Sequence, residues 1–246
     1  MTQYPILWSF RRCPYAIRAR LAIASSRQSV VLREIILRNK PAAFLTTSAK
    51  GTVPVLDLNG TVIAESIKVM HWALQKSDPA KWLSMPSEGH DLIAKADGPF
   101  KSALDLYKYY IRYPDGTRST AQQNGAKFLL QLNKMLVGKD WLFGRQSLAD
   151  MAILPFVRQF ANADITWFNM QDWPDLLRWL NAFTKSGTFA NVMTRYPSWE
   201  PAQKQVLFGF DSHGKTNKTA DVSGLPLCTQ NASCTLGQQG HQVVFE

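Results

Sequence analysis

The stretch that decides the fold reads Tyr4-Pro5-Ile6-Leu7-Trp8-Ser9-Phe10-Arg11-Arg12-Cys13-Pro14-Tyr15-Ala16. Its first part, from Tyr4 to Phe10, alternates and is rich in aromatic and aliphatic residues, which predicts a short β-strand. Pro14 suits the first turn of a helix, because its fixed φ is helical and its missing N–H would lack a partner there in any case. The stretch therefore predicts a strand that passes directly into a helix, with Cys13 at the junction.

The following residues continue this alternation of strands and helices. Helical spacing of apolar residues extends to about Ser26, and Val30 to Leu37 is rich in β-forming residues. A short helix over residues 41–48 is followed by two strands that meet across Asn59-Gly60, a dipeptide typical of tight hairpin turns. A helix over 65–75 completes the predicted order β-α-β-α-β-β-α.

The chain after residue 76 has a different pattern. Breaks at Ser77-Asp78-Pro79 and Met85-Pro86-Ser87 predict a linker. Beyond it, strand signals largely vanish and helical patterns cover roughly 88–112, 119–137, 147–163 and 174–194. The polar composition after Phe210 predicts a flexible tail. We therefore predict an α/β domain over 1–78, an all-α domain over 87–211 and a tail over 212–246.

Composition excludes several broad classes of protein. Of the 246 residues, 46% are apolar and 19% are charged, so the chain as a whole is not disordered. No apolar run reaches the roughly 18 residues that a membrane-spanning helix needs. The first residues, from Met1 to Pro5, lack a basic region followed by an apolar stretch, so we expect no signal peptide. The three cysteines are too few for a disulfide framework and form no paired zinc motif. We expect a cytoplasmic protein with no membrane partner and no metal.

Positive charge is concentrated near the N-terminus. The formal net charge is +10, and residues 1–50 hold nine Lys and Arg residues against Glu34 alone. Whatever the protein attracts by charge, we expect this region to attract it. Nucleic-acid binding is one reading of the sequence pI of about 9.6. The basic residues form no recognisable nucleic-acid motif, so we expect no nucleic-acid partner.

Cys13 is the candidate nucleophile. A thiol reacts as thiolate, and the start of a helix together with the neighbouring Arg11 and Arg12 favours the anion. The alternative is a small buried hydrophobic residue that happens to precede a proline. Ala16 stands where a second, resolving thiol would be, so an internal disulfide cycle is impossible. A second thiol must come from outside the site, and glutathione is the usual cytosolic supply.

Three further motifs suggest a site for a γ-linked, anionic tripeptide. Val53-Pro54 lies before a hairpin strand, where the proline marks either a plain edge or a cis bond that exposes the Val53 backbone to an extended peptide. Glu65 and Ser66 open the next helix and can bind an ammonium and a carboxylate, although a simple helix cap is the alternative. Lys40 is either a solvated loop lysine or a partner for the other end of the ligand.

These motifs together resemble a known family. They are Arg12-Cys13-Pro14-Tyr15-Ala16, Arg18-Ala19-Arg20-Leu21, Leu37-Arg38-Asn39-Lys40-Pro41, Gly51-Thr52-Val53-Pro54-Val55-Leu56, Glu65-Ser66 and the capping box Ser147-Leu148-Ala149-Asp150. Over about residues 4–200 the chain resembles cytosolic glutathione transferases with a catalytic cysteine, most closely the omega class. The resemblance implies a thioredoxin-like domain followed by a helical one, a homodimer, and glutathione-dependent thiol transfer or reductions such as that of dehydroascorbate.

The resemblance also implies a role for each candidate residue. Cys13 would be the nucleophile, Val53 would bond the glutathione backbone beside Pro54, and Glu65 and Ser66 would hold the γ-glutamyl end. Lys40 would hold the glycine carboxylate. The second substrate would be a small electrophile or a disulfide.

One departure and one alternative accompany the resemblance. Ser48-Ala49-Lys50-Gly51 stands where the family usually has Asn/Ser-Pro-x-Gly, which leaves the geometry of this loop open. The alternative function is a non-catalytic protein-binding module similar to stringent starvation protein A, because a fold alone does not imply catalysis. That family typically loses its glutathione-site residues, whereas the candidate residues are present here.

Overall fold

The computed structural model describes residues 4–113 and 117–209. Its first domain contains β1 (Ile6–Ser9), α1 (Pro14–Ser25), β2 (Ser29–Glu34), α2 (Ala42–Thr47), β3 (Val55–Asp57), β4 (Val62–Ile63) and α3 (Ser66–Lys76). This is the predicted βαβαββα order, and the domain is thioredoxin-like. The predicted fold class is therefore confirmed.

The strands form one mixed sheet with the order β4-β3-β1-β2 and a further strand beside β2. β1 and β2 are parallel because α1 returns the chain across the sheet between them. β3 is antiparallel to β1 and forms a hairpin with β4. In the hairpin turn both Asn59 and Gly60 have positive φ, and the Asp57 carboxylate accepts the Gly60 N–H at 2.7 Å.

The further strand, β5 (Val206–Gly209), is a feature that the sequence pattern does not predict. It pairs antiparallel with β2, with Phe208 opposite Val30. Three apolar residues and a glycine carry too little pattern to identify a strand, so the exposed edge of β2 determines the conformation. Residues 206–209 thus belong to the sheet of the first domain, although the predicted helical domain includes them. The predicted tail, 212–246, lies outside the described residues.

The second region is helical, as predicted. Its elements are α4 (Glu88–Lys95), a π-helical turn (Ala96–Phe100), α5 (Lys101–Lys108), a 3-10 turn (Tyr110–Arg112), α6 (Thr117–Leu136), α7 (Leu148–Ala161), α8 (Ile165–Asn169), α9 (Pro174–Thr184) and α10 (Gly187–Val192). α7 begins with the predicted capping box, in which Ser147 and Asp150 bond each other's backbone N–H groups. The π-helical turn contains Pro99, which has no N–H to donate. No helix among the described residues is long and apolar enough to cross a bilayer.

α1 joins the two regions because it packs against α3 on one side and α7 on the other. The Arg18 side chain, which is fully buried, donates from Nε to the Ala152 carbonyl at 2.5 Å. Its Nη1 atom lies 2.7 Å from Asp97 Oδ1 in the π-helical turn, and its guanidinium lies 4.2 Å from the centre of the Phe156 ring. This charged side chain therefore links the thioredoxin-like domain to two elements of the helical region.

The pairing of β5 with β2 leads to a prediction about Gly209. A Cβ added there would lie 1.9 Å from the Gln28 carbonyl oxygen, and its φ is +113°. Gly60 is the matched control, because its φ is +110° but a Cβ there meets nothing within 4 Å. We expect Gly209→Ala to lower the free energy of unfolding by at least about 1 kcal/mol more than Gly60→Ala, as measured by urea denaturation. Equal losses in the two variants would contradict the close approach of β5 to β2.

Candidate functional site

Cys13 sits at the N-cap of α1, immediately after the turn that ends β1. The Cys13 N–H donates to the Phe10 carbonyl at 2.9 Å, and its carbonyl accepts the Ile17 N–H, also at 2.9 Å. Both backbone groups are therefore fixed by the strand-to-helix junction. The side chain is half-buried, and its thiol points towards the Val53 carbonyl, with Sγ 3.8 Å from the oxygen.

Beside Cys13 lies a cavity of about 710 Å³. Its lining includes every site residue that the sequence singled out: Cys13, Lys40, Val53, Pro54, Glu65 and Ser66. It also includes Tyr15, Lys50 and Asp97, which the sequence analysis did not assign to the site. A second cavity, of about 940 Å³, lies between α5 and α6, and none of the candidate residues lines it. The structure therefore brings the predicted residues together at the end of the first domain where α1 and α3 begin.

The loop before β3 forms one wall of the cavity. The Val53-Pro54 peptide bond is cis, and both residues are buried. Ser48 organises the preceding turn, because its carbonyl accepts the Gly51 N–H at 2.9 Å and its hydroxyl accepts the Thr52 N–H at 3.2 Å. The loop that departs from the family pattern is thus closed by the Ser48 side chain, with alanine in place of proline at the next residue.

The start of α3 forms the opposite wall. Ser66 is the first residue of α3 and is buried, while Glu65 precedes it as the N-cap. The Glu65 carboxylate makes no cap bond to the helix. It pairs instead with Lys50, whose Nζ lies 2.9 Å from Oε1, and both side chains are exposed. Glu65 therefore occupies the N-cap position of α3, but its carboxylate bonds Lys50 and not the helix.

Burial dominates the electrostatics of Cys13. Removal from solvent raises the pKa of the Cys13 thiol, and it outweighs the backbone N–H groups of Ala16 and Tyr15 and the positive charges of Lys101 and Lys108, which lower it. The sequence analysis expected the helix start and the adjacent arginines to favour the thiolate. The expectation for the helix start is correct in sign, but its effect is smaller than that of burial.

The helical region contributes one charged residue to the lining of the cavity and places a second one near Tyr15, and the sequence revealed neither. Asp97 lines it from the π-helical turn, opposite Tyr15. Burial and the Asp97 charge raise the pKa of Tyr15 to about 12, so its hydroxyl stays protonated at neutral pH. Lys101 lies one turn after Asp97, with Nζ 5.8 Å from the centre of the Tyr15 ring. The helical spacing of Asp97 and Lys101, four positions apart, is the only signal in the sequence that could have grouped these two residues.

Glu34, at the end of β2, supports the turn that carries Cys13. Its Oε1 accepts the Arg11 N–H at 2.5 Å, and its other oxygen pairs with the Arg20 guanidinium. Arg20 is fully buried and also donates to the Ser9 hydroxyl at 2.9 Å and to the Val192 carbonyl at 3.0 Å. Glu34 is the only acidic residue among the first fifty, which is the signal that could have identified it.

Comparison with known proteins relates this arrangement to glutathione transferases. Residues 7–81 match the family model described as glutathione S-transferase, N-terminal domain. A probable glutathione transferase from Aplysia californica is 44% identical over 57 residues, which are 23% of this chain and 62% of that relative. The match thus spans less than two thirds of that relative's length.

Solved structures of glutathione transferases share the fold of most of this chain. One from Pseudomonas putida, with a glutathione disulfide bound to each subunit, has a TM-score of 0.68 at 18% identity and covers 78% of this chain and 91% of its own. A family member from Pseudomonas fluorescens with two bound glutathiones has a TM-score of 0.68 at 16% identity, over 78% of this chain and 93% of its own. The first domain is therefore related to glutathione transferases by sequence, and the chain has their fold.

Among the described residues, no group of three or more His, Cys, Asp or Glu side chains is arranged to hold a metal ion. The cavity contains a thiol, carboxylates, ammonium groups and backbone polar groups. Such a set can bind a charged peptide and carry out thiol chemistry.

The raised pKa of Cys13 predicts its reaction with iodoacetamide. Because burial keeps the thiol protonated, we expect the alkylation rate of Cys13 to reach half of its maximum at a higher pH in the folded protein than in the urea-unfolded chain, where the pKa is about 8.5. Peptide mass spectrometry at a series of pH values measures this for Cys13 separately from the other cysteines. A lower midpoint in the folded protein would show that the thiolate is stabilised instead.

Because Glu34 bonds both the Arg11 backbone and the buried Arg20, we expect its substitution to lower stability strongly. Glu34→Gln preserves the shape of the side chain but leaves the buried Arg20 without its counter-charge, which costs about 3 kcal/mol of unfolding free energy. Glu65→Gln is the control, since it breaks an exposed pair worth less than about 1 kcal/mol. Urea denaturation of both variants tests this difference, and comparable losses would argue against a supporting role for Glu34.

Proposed function

We propose that this protein is a glutathione-dependent thiol transferase in which Cys13 forms a mixed disulfide with glutathione. One observation carries the proposal: a single cavity contains the Cys13 thiol, the Val53 backbone and the charged groups of Lys40 and Glu65. Its volume, about 710 Å³, is within the range of small-ligand sites. The match of residues 7–81 to the glutathione S-transferase N-terminal domain supports glutathione as the ligand.

The cavity offers a complementary group for each part of glutathione. Glu65 would pair with the α-ammonium of the γ-glutamyl group, and Ser66, at the start of α3, would donate to its carboxylate. Val53 would bond the peptide backbone. Lys40, which also lines the cavity, would pair with the glycine carboxylate. The positive charge of the first fifty residues suits a ligand that is a net anion.

The chemistry consists of two thiol–disulfide exchanges. The Cys13 thiolate attacks the glutathionyl sulfur of a mixed disulfide, which forms the Cys13–glutathione disulfide and releases the other thiol as its thiolate. A second glutathione thiolate then attacks the glutathionyl sulfur, forms glutathione disulfide and regenerates the Cys13 thiolate. The protein gains and loses one disulfide in each cycle, so glutathione is the only reductant required.

A second candidate function is conjugation of glutathione to an electrophile. It is favoured by the raised pKa of Cys13, whose S–H donates to the Val53 carbonyl. A protonated Cys13 can instead donate to the thiolate of bound glutathione and stabilise it for attack. In this function Cys13 is a hydrogen-bond donor and forms no covalent bond.

The remaining features implied by the resemblance belong to the same proposal. They are an omega-like activity such as dehydroascorbate reduction, a small electrophile or disulfide as second substrate, a homodimer, and action in the cytoplasm without a nucleic-acid, membrane or metal partner. Their support is the sequence resemblance over about residues 4–200 and the shared fold.

Two variants at Cys13 test the proposal and separate the two functions. Thiol transfer requires sulfur, so we expect both Cys13→Ser and Cys13→Ala to lose activity in a glutathione-coupled disulfide reduction assay by at least about a hundredfold, while they still bind glutathione. The wild-type protein incubated with oxidised glutathione should gain one glutathionyl group, located at Cys13 by peptide mass spectrometry. Undiminished turnover in Cys13→Ala would overturn the mechanism.

Conjugation gives a different result with the same variants. A serine hydroxyl can still donate to the glutathione thiolate, so Cys13→Ser would retain conjugation activity and Cys13→Ala would lose it. If millimolar glutathione fails to raise the melting temperature of the wild-type protein, neither function holds and the protein-binding module is favoured.

A further inference from the structure

We propose that Lys50 competes with the ammonium group of the ligand for Glu65 and thereby sets how strongly the site prefers ligands with a free α-amino group. The inference rests on the proposed function, because it assumes that glutathione binds with its γ-glutamyl end at Glu65. It concerns selectivity within that site and adds a residue, Lys50, that the resemblance does not assign.

The contact that carries the inference is the pair between Lys50 Nζ and Glu65 Oε1 at 2.9 Å. Both residues line the 710 Å³ cavity, so the pair lies within the site. An ammonium on a flexible stem therefore already occupies the position that a ligand ammonium would take. A ligand that brings its own ammonium to Glu65 must displace Lys50 or share the carboxylate with it.

The loop holds Lys50 in reach of Glu65. Ser48 closes the turn through its bonds to the backbone N–H groups of Gly51 and Thr52. Gly51 has a φ of +59°, a conformation that permits the tight turn directly after Lys50. The hydrogen bonds of this turn therefore hold the Lys50 backbone beside the cavity. The Lys50 side chain is exposed and can move into solvent.

The competition affects ligands differently according to their charge. A ligand with an α-ammonium gains a bond to Glu65 but breaks the Lys50 pair, so its net gain is reduced. A ligand without the amino group leaves the ion pair between Lys50 and Glu65 intact, so its binding free energy is not reduced by breaking that pair. Lys50 also attracts the carboxylates of the ligand. Because both ligands carry these carboxylates, this contribution cancels in the ratio of their Kd values.

The experiment compares two ligands that cannot react with Cys13: S-methylglutathione and its analogue that lacks the α-amino group. Isothermal titration calorimetry gives the ratio of their Kd values for the wild-type protein and for Lys50→Met. We expect the preference for the amino ligand to increase about two- to fivefold in Lys50→Met at low ionic strength, the range that exposed ion pairs produce. The increase should shrink at high salt.

Two controls make the result specific. Lys68→Met removes an exposed lysine of α3 that does not line the cavity, and it should leave the ratio unchanged. In a Glu65→Gln background, Lys50→Met should also leave the ratio unchanged, because the shared carboxylate is gone. An unchanged or smaller ratio in Lys50→Met alone, or an equal increase in Lys68→Met, would overturn the inference. Failure of the wild-type protein to bind S-methylglutathione would instead overturn the proposed function.

Discussion

The buried ion pair between Arg20 and Glu34 is the interaction on which the site depends most. Arg20 belongs to α1 and Glu34 ends β2, and the same two side chains bond Ser9 of β1, the turn at Arg11 and the end of α10 at Val192. Removing charges from water is costly, and it is compensated here because nearly every polar atom of the pair has a partner. The network of Arg20 and Glu34 therefore fixes the strand-to-helix junction that carries Cys13, although neither residue lines the cavity.

α1 carries a second buried arginine, and this one explains why the site belongs to both domains. Arg18 reaches the helical region through Ala152, Asp97 and Phe156. The same contact brings the π-helical turn and α5 towards the N-cap of α1. As a result Cys13 is influenced by Lys101 and Lys108, residues that are about ninety positions away in the chain.

The sequence was sufficient for the order of elements in the first domain because strong local signals mark it, such as Pro14 at the start of α1 and Asn59-Gly60 in the hairpin. The start of α7 in the helical region has a comparable signal, the capping box of Ser147 and Asp150. The predicted site residues also line one cavity, since they flank the ends of those elements. The missed features are tertiary. β5 is a strand because β2 offers an edge, Asp97 reaches the site through a π-helical turn, and Lys50 meets Glu65 across a loop.

Burial and helix position act on Cys13 in opposite directions, and their magnitudes decide the state of the thiol. A helix N-terminus contributes about 0.3–1 kcal/mol to an anion, whereas burial can shift a pKa by several units. A raised pKa lowers the thiolate population about tenfold per unit at neutral pH, but it also increases the nucleophilicity of each thiolate about threefold, given a Brønsted coefficient near 0.5. The net loss is therefore only about threefold per unit. A half-buried, protonated Cys13 is thus compatible with the proposed exchange, which would accelerate as the pH rises towards the pKa of the thiol.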